Sequence, residues 1–243
     1  MLTRETITVG KQRFRIGPWQ ADSGVAHLSL PPRATSPSPA ELRAALDVVI
    51  SRGYQSVLTS ALEAGETAPF EALGFAEHDR LSVLVHHLSR SASGPNAMTT
   101  QPPEGIRMRR GRRADRRQAL VVDAAAFPDF WRLDADGLAD AEAATPYSRF
   151  RVATMGGQVV GYAVTGRGGE SGFLQRLATD PAVQRRGVGS ALVGDALTWC
   201  ERRRCDKVFV NTQVSNQAAL ALYRHLGFEV TPSDLVVLRW TPT

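Results

Sequence analysis

Residues 184–190 read Gln-Arg-Arg-Gly-Val-Gly-Ser, and Gly187 and Gly189 stand where an amphipathic run begins. A helix N-terminus carries unpaired N–H donors and about half a positive charge. A phosphate can rest against those donors without a dedicated side chain. Glycine lets the backbone come close to it, because no Cβ stands in the way. Arg185 and Arg186 add positive charge, so a diphosphate is the natural occupant. Two familiar nucleotide loops do not fit. A P-loop needs Gly-Lys-Ser/Thr after a four-residue spacer, and the chain has none. A dinucleotide fingerprint needs a third glycine at 192, which is Leu, and a strand running straight into the first glycine, where Pro181-Ala-Val intervenes.

The elements around this loop read as a strand–helix alternation. Strands are expected at 106–109, 149–155, 158–166, 172–179, 206–214 and 235–240, with Gly156-Gly157 turning one pair and Asp180-Pro181 ending another. Helices are expected at 115–127, with Leu120, Val121, Ala124 and Ala125 on one face, more weakly at 133–143, and at 187–203 and 216–226. Val188, Ala191, Leu192, Ala196 and Cys200 fall at helical spacing, and Gly227 stops the last helix. The fold class is α/β (α+β) with a mixed central sheet flanked by helices.

Two motifs on these elements resemble one family. Gln184-Arg-Arg-Gly187-Val-Gly189 is similar to the pyrophosphate loop, Q/R-x-x-G-x-G/A, of the GCN5-related N-acetyltransferases (GNAT). Asn216, Ala219, Leu222, Tyr223, Gly227 and Phe228 resemble its second signature, N-x-x-A-x-x-L-Y-x-x-x-G-F, in the right order and separation. The resemblance covers about residues 104–243. It implies acetyl-CoA as cofactor, with its pantetheine arm in a V-shaped opening beside Leu177, Ala178 and Thr179. The diphosphate would lie on Arg185, Arg186, Gly187, Val188, Gly189 and Ser190, with Gln184 opening the loop. The implied reaction is direct attack by a primary amine, on a protein N-terminus or a small molecule. Tyr223 is the expected proton donor to the departing thiolate, since a phenol is still protonated at neutral pH. Asn216 caps its helix and can touch the cofactor. Asn211, in an apolar strand, needs a polar partner, either the pantetheine or a structural hydrogen bond. The general base is less evident. The stretch 173–176, Phe-Leu-Gln-Arg, has no carboxylate, which leaves Glu170 just before it, Asp134 and Asp136 on the acceptor side, or water. That missing carboxylate keeps an acyl-CoA-binding sensor or scaffold as the alternative function.

The rest of the chain bounds the setting. Residues 89–105 have linker composition, which divides the chain into 1–88, the linker, and a catalytic domain at 106–243. Offset by 153 residues, Thr59 falls on Thr212, Phe70 on Tyr223, and Leu73-Gly74-Phe75 on Leu226-Gly227-Phe228. Residues 1–88 therefore read as a smaller, partial GNAT-like repeat. In place of the glycine loop the repeat has Pro-Pro-Arg-Ala-Thr-Ser-Pro at 31–37, and proline has no N–H to offer an anion. It is expected to wall the acceptor site or to support a homodimer. Residues 107–117 hold seven arginines in eleven positions, without the interleaved aromatics that stack on bases. A solvated face or an acidic partner is preferred to nucleic acid. No apolar run suits a membrane span and no leader is evident, so the expected place is the cytoplasm. Cys200 and Cys205 are expected as reduced thiols, and no metal site is expected.

Overall fold

The computed structural model describes residues 5–20, 22–31, 34–88 and 101–242. Its chain forms two compact units. One comprises residues 1–83, 213–215 and 231–243; the other comprises residues 84–212 and 216–230. In chain order the elements of the first half are β1 (Glu5–Val9), β2 (Gln12–Trp19), β3 (Asp22–Ser29), α1 (Pro39–Ser51), β4 (Ser56–Thr59), β5 (Leu62–Glu63), α2 (Ala68–Glu71) and β6 (Ala76–His87). The second half holds β7 (Ile106–Arg110), α3 (Asp115–Ala126), α4 (Ala135–Ala143), β8 (Tyr147–Met155), β9 (Gln158–Gly168), β10 (Ser171–Thr179), α5 (Val188–Arg202), β11 (Lys207–Gln213), α6 (Gln217–His225) and β12 (Glu229–Trp240).

The sheet of the second unit runs β11-β10-β9-β8-β7. β10 is antiparallel to β9 and parallel to β11. Leu192, Val193 and Cys200 of α5 and Leu220 and Tyr223 of α6 bury one of its faces, while Ala119 and Val122 of α3 and Leu138 of α4 cover the other. Helix α3 does not present the expected stripe. Val121 is 66% exposed, whereas Ala119, Val122 and Asp123 are buried. A buried acid turns the helix inward here, for a reason given below. α5 does bury the expected residues, and its Asp195 pairs with Arg149 and Arg151 of β8.

In the first unit the order is β1-β2-β3-β4-β12-β6. The repeat is longer than the sequence comparison indicates. β6 and β12 span the same residues under the 153-residue offset, and the turn glycines Gly74 and Gly227 share a positive φ of 86° and 80°. The meander β1-β2-β3 also stands to β4 as β8-β9-β10 stands to β11.

Each half sends the end of its last strand into the other unit. Leu84, fully buried, belongs to the core of the second unit. Val236 and Leu238 belong to the core of the first. The compact units thus divide the chain differently from a cut between 88 and 106, and residues 89–100 of the expected linker lie outside the described residues. The arginine run is partly consumed locally. Arg109 pairs with Asp115 at 2.6 Å, and Arg116 pairs with Glu142. Cys200 and Cys205 are both free and buried, and the Cys205 N–H donates to the Cys200 carbonyl at 3.0 Å. Among the described residues no helix is long and apolar enough to cross a membrane.

Candidate active site

Strands β10 and β11 pair only at Ser171–Lys207, Gly172–Val208 and Phe173–Phe209. Just outside this pairing, Asp206 N–H donates to the Glu170 carbonyl at 2.8 Å. Beyond Phe173 the two strands part, and β10 continues along β9 alone as far as Thr179 opposite Gly161. An open strand edge follows, in which alternate backbone groups of Leu177, Ala178 and Thr179 have no β11 partner. An extended chain can add to such an edge as a strand does. The first unit offers no such gap. All four residues of β4 pair with β3, and bonds from Gln55 N to Gly24 O and from Ser60 N to Leu28 O close both ends.

The widening end of the split meets the N-terminus of α5. Gly187 is the N-cap, in the left-handed region at φ 83°, and no side chain caps the helix. The first intrahelical bond runs from Ala191 N to Gly187 O, so the Val188 and Gly189 amides precede the hydrogen-bonded turns. Arg185 also takes a positive φ of 62°, which costs a non-glycine residue about 1–2 kcal/mol. The side chain of Gln184 does not reach outward. Its Nε2 donates to the Thr179 carbonyl at 3.3 Å and ties the loop to the end of β10. A Cβ on Gly189 would lie 3.3 Å from Leu222 Cδ2 and 3.8 Å from Thr179 Cγ2, so glycine keeps α6 and β10 close to the loop.

The corresponding helix of the first unit is finished differently. Ser38 caps α1 by accepting from Glu41 N, and Glu41 accepts in return from Ser38 N. Pro39 follows at the first helical position. Those donors are spent internally. Of the preceding 31–37 segment, Pro32 and Arg33 lie outside the described residues. Among the described residues, an uncapped helix start, a left-handed glycine at its N-cap and an open strand edge therefore coincide once, in the second unit. These residues fit the diphosphate and pantetheine of coenzyme A.

Helix α6 carries the other expected residues. Asn216 caps it by accepting from Ala219 N at 3.1 Å, so the Ala219 amide is engaged. Tyr223 is 5% exposed and packs against Phe228, with ring centroids 5.6 Å apart. Burial pushes its phenol well above the usual tyrosine range, and the Arg176 charge offsets part of the rise. Three expectations need correction. Glu170 lies at the turn where β10 starts, at the closed end of the split, about 30 Å along an extended strand from Thr179. Asn211 is exposed on β11, so it needs no buried partner. Asp134 caps α4, accepting from Gly137 N at 2.7 Å, and is not left for an acceptor.

The sequence reading missed a buried charge pair on the face opposite Tyr223. Asp123 is 0% exposed and accepts from Arg176 Nε and Nη2, both at 2.8 Å. It also accepts from the Tyr162 hydroxyl at 2.5 Å and from Leu133 N at 2.7 Å. Arg176 Nη2 donates in addition to the Trp131 carbonyl at 2.6 Å, and the guanidinium lies 3.5 Å from the Phe127 ring centroid. Burial of a carboxylate requires pairing and hydrogen bonds of this kind. Burial and the adjacent carboxylate together hold the Tyr162 phenol protonated far into the alkaline range. Two signals were visible in the sequence: an acid inside the apolar run Val121–Ala126, and an arginine in strand 172–179.

Comparison with known proteins places this geometry. The acetyltransferase (GNAT) family matches residues 118–228. N-alpha-acetyltransferase RimI of Mycobacterium tuberculosis is 36% identical over 92 residues, 36% of this chain and 56% of that protein. The [ribosomal protein bS18]-alanine N-acetyltransferase of Escherichia coli K12 is 34% identical over 82 residues, 34% of this chain and 55% of that protein. The chain thus spans about half the length of these curated relatives. Among solved structures, a tandem GNAT protein from the clavulanic acid biosynthesis pathway superposes with a TM-score of 0.67 at 14% identity, covering 96% of this chain and 80% of that one. That likeness shows the fold, including the partial N-terminal repeat.

Proposed function

Because residues 118–228 match the acetyltransferase (GNAT) family, we propose that the second unit binds acetyl-CoA and passes the acetyl group to a primary amine by direct attack in a ternary complex. The contrast between the two helix N-termini carries this reading. In one repeat Ser38 and Glu41 consume the donors, and in the other Gly187 leaves them bare beside an open strand edge. Bound there, the cofactor supplies a thioester-activated acetyl group.

The chain's own residues do the rest. The amides of residues 185–190 hold the diphosphate, and the free edge of Leu177, Ala178 and Thr179 aligns the arm. Gln184 keeps loop and strand in register through Thr179. Tyr223, kept protonated by burial, gives its proton to the departing sulfur. No carboxylate of β10 stands at the split, so the amine proton leaves to water. Holding both reactants in one groove supplies the larger part of the rate advantage. The two relatives are named for an N-alpha amine and for an alanine of a ribosomal protein, which makes a peptide N-terminus the first acceptor to test.

The test is titration calorimetry with acetyl-CoA, followed by a thiol-release assay against peptide N-termini and small amines. Binding with turnover supports the enzyme. Binding without turnover of any acceptor leaves the sensor reading in its place, and no binding removes both.

A further inference from the structure

The α5 side of the second unit carries a surface that acetyl transfer does not use. Ile106 and Met108 of β7 pack against the core under α5, so Arg110 points to that side too. Arg151 of β8 stands directly opposite Arg110, and Arg149 lies on the same face. Arg151 and Arg149 both pair with Asp195 of α5, at 2.9 and 2.6 Å. One turn further along α5, the Trp199 ring has the Arg149 guanidinium 6.0 Å and the Arg203 guanidinium 4.4 Å from its centroid. Tyr147, at the start of β8, is 63% exposed. Its cross-strand partner Arg167 of β9 lies 5.8 Å from its ring centroid. Five guanidiniums thus gather against one carboxylate, a surplus of four positive charges. Burial depresses the Arg149 guanidinium, and the Arg151 and Arg203 charges add to that against the pull of Asp195. The other acids nearby face elsewhere. Glu201 lies about 120° around α5 from Asp195, and Glu170 and Asp206 precede β10 and β11, beyond β9 from β8.

Of the arginine run at 107–117, Arg110 reaches this face, and the rings that run lacks come from Tyr147 and Trp199 on other elements. Guanidinium forks match phosphate oxygens, and an exposed ring among them is a platform for an unstacked base. We propose that this face of the second unit binds single-stranded nucleic acid, with phosphates on the five arginines and a base on Tyr147. An acidic polypeptide would use the charges and leave the ring idle. A duplex keeps its bases stacked away from it. Tyr147 and Arg167 stand beside Gly172 at the start of β10, whereas the diphosphate loop follows Thr179 at its end, so this site is separate from the acetyl-CoA site.

The experiment is fluorescence anisotropy of the full chain with a labelled oligouridylate of roughly 12 nucleotides, over a salt series. Four neutralised phosphates imply a slope of log K against log salt of about −3, hence about 50-fold weaker binding at about 200 mM than at about 50 mM salt. Arg110→Gln/Arg203→Gln should halve that slope. Tyr147→Ala should lower the affinity at least fivefold and leave the slope unchanged, because stacking is not ionic. All three positions are exposed, so thermal unfolding and acetyl-CoA affinity should stay as in the wild type. Absence of binding by the wild type at the lowest salt overturns the proposal without any variant. So does duplex RNA, or an oligoglutamate of the same charge, bound as tightly as the single strand. Wild-type affinity in Tyr147→Ala overturns it as well. None of these outcomes bears on acetyl-CoA, whose binding is measured separately.

Discussion

Gly187→Ala isolates the cradle from the rest of the site. Gly187 sits at φ 83° and ψ 0°, a conformation that costs an L-residue about 1–2 kcal/mol. Sterics add little, since the new β-carbon would lie 3.4 Å from Pro103 Cγ, an ordinary contact. The variant can keep the conformation and lose about 1–2 kcal/mol of folding stability. Alternatively it relaxes to negative φ and rotates the Val188 amide away from the phosphate. Losing one hydrogen bond to a charged group is worth about 1.5–3 kcal/mol, or on the order of 10- to 100-fold in Kd. Calorimetry with coenzyme A and with pantetheine, which lacks the phosphates, distinguishes cradle from arm. Coenzyme A affinity should fall by that factor and pantetheine affinity should hold. Gly187→Asn, which tolerates the left-handed region better, should fall between wild type and alanine. If Gly187→Ala keeps both its stability and its coenzyme A affinity, or if pantetheine weakens in parallel, the amides at 185–190 do not hold the phosphates.

Other expectations follow from the same geometry. Tyr223→Phe should lower kcat about 100-fold or more without changing acetyl-CoA affinity, and an unchanged kcat would contradict the donor assignment; since burial raises the Tyr223 phenol, the wild-type rate should show no alkaline fall near pH 10, and one that vanishes in the variant would show that burial does not raise it. Leu84→Ala should destabilise the second unit by about 2–5 kcal/mol in denaturant unfolding, because Leu84 is fully buried in that core; a loss confined to the first unit would refute the strand exchange. Arg109 and the Arg112 amide hold the Asp115 carboxyl at about 2, below its ordinary 3.8. Its folded value lies below its unfolded value, so it contributes stability above about pH 4 that is lost as pH falls through about 2. Asp115→Asn should therefore flatten the acid side of the stability curve by roughly 2 kcal/mol between those limits.

Local pattern was enough to read the loop, the alternation of elements and the repeat. Gly187 and Gly189, the caps at Asn216 and Gly227, and the helical spacing of Val188 to Cys200 are properties of neighbouring residues, and neighbours in sequence decide them. The offset that superposes Leu73-Gly74-Phe75 on Leu226-Gly227-Phe228 is likewise carried by the chain alone. What tertiary structure decided rests on pairs far apart in sequence. Asp123 and Arg176 meet across 53 residues, and their ion pair turns an acid into the core and Val121 out of it, against the apolar pattern of α3. Leu84 leaves its own half for the core of the other, which no composition break could mark. Whether two parallel strands zip, as β3 and β4 do, or part, as β10 and β11 do, depends on which backbone donors find partners, and periodicity carries no record of that choice.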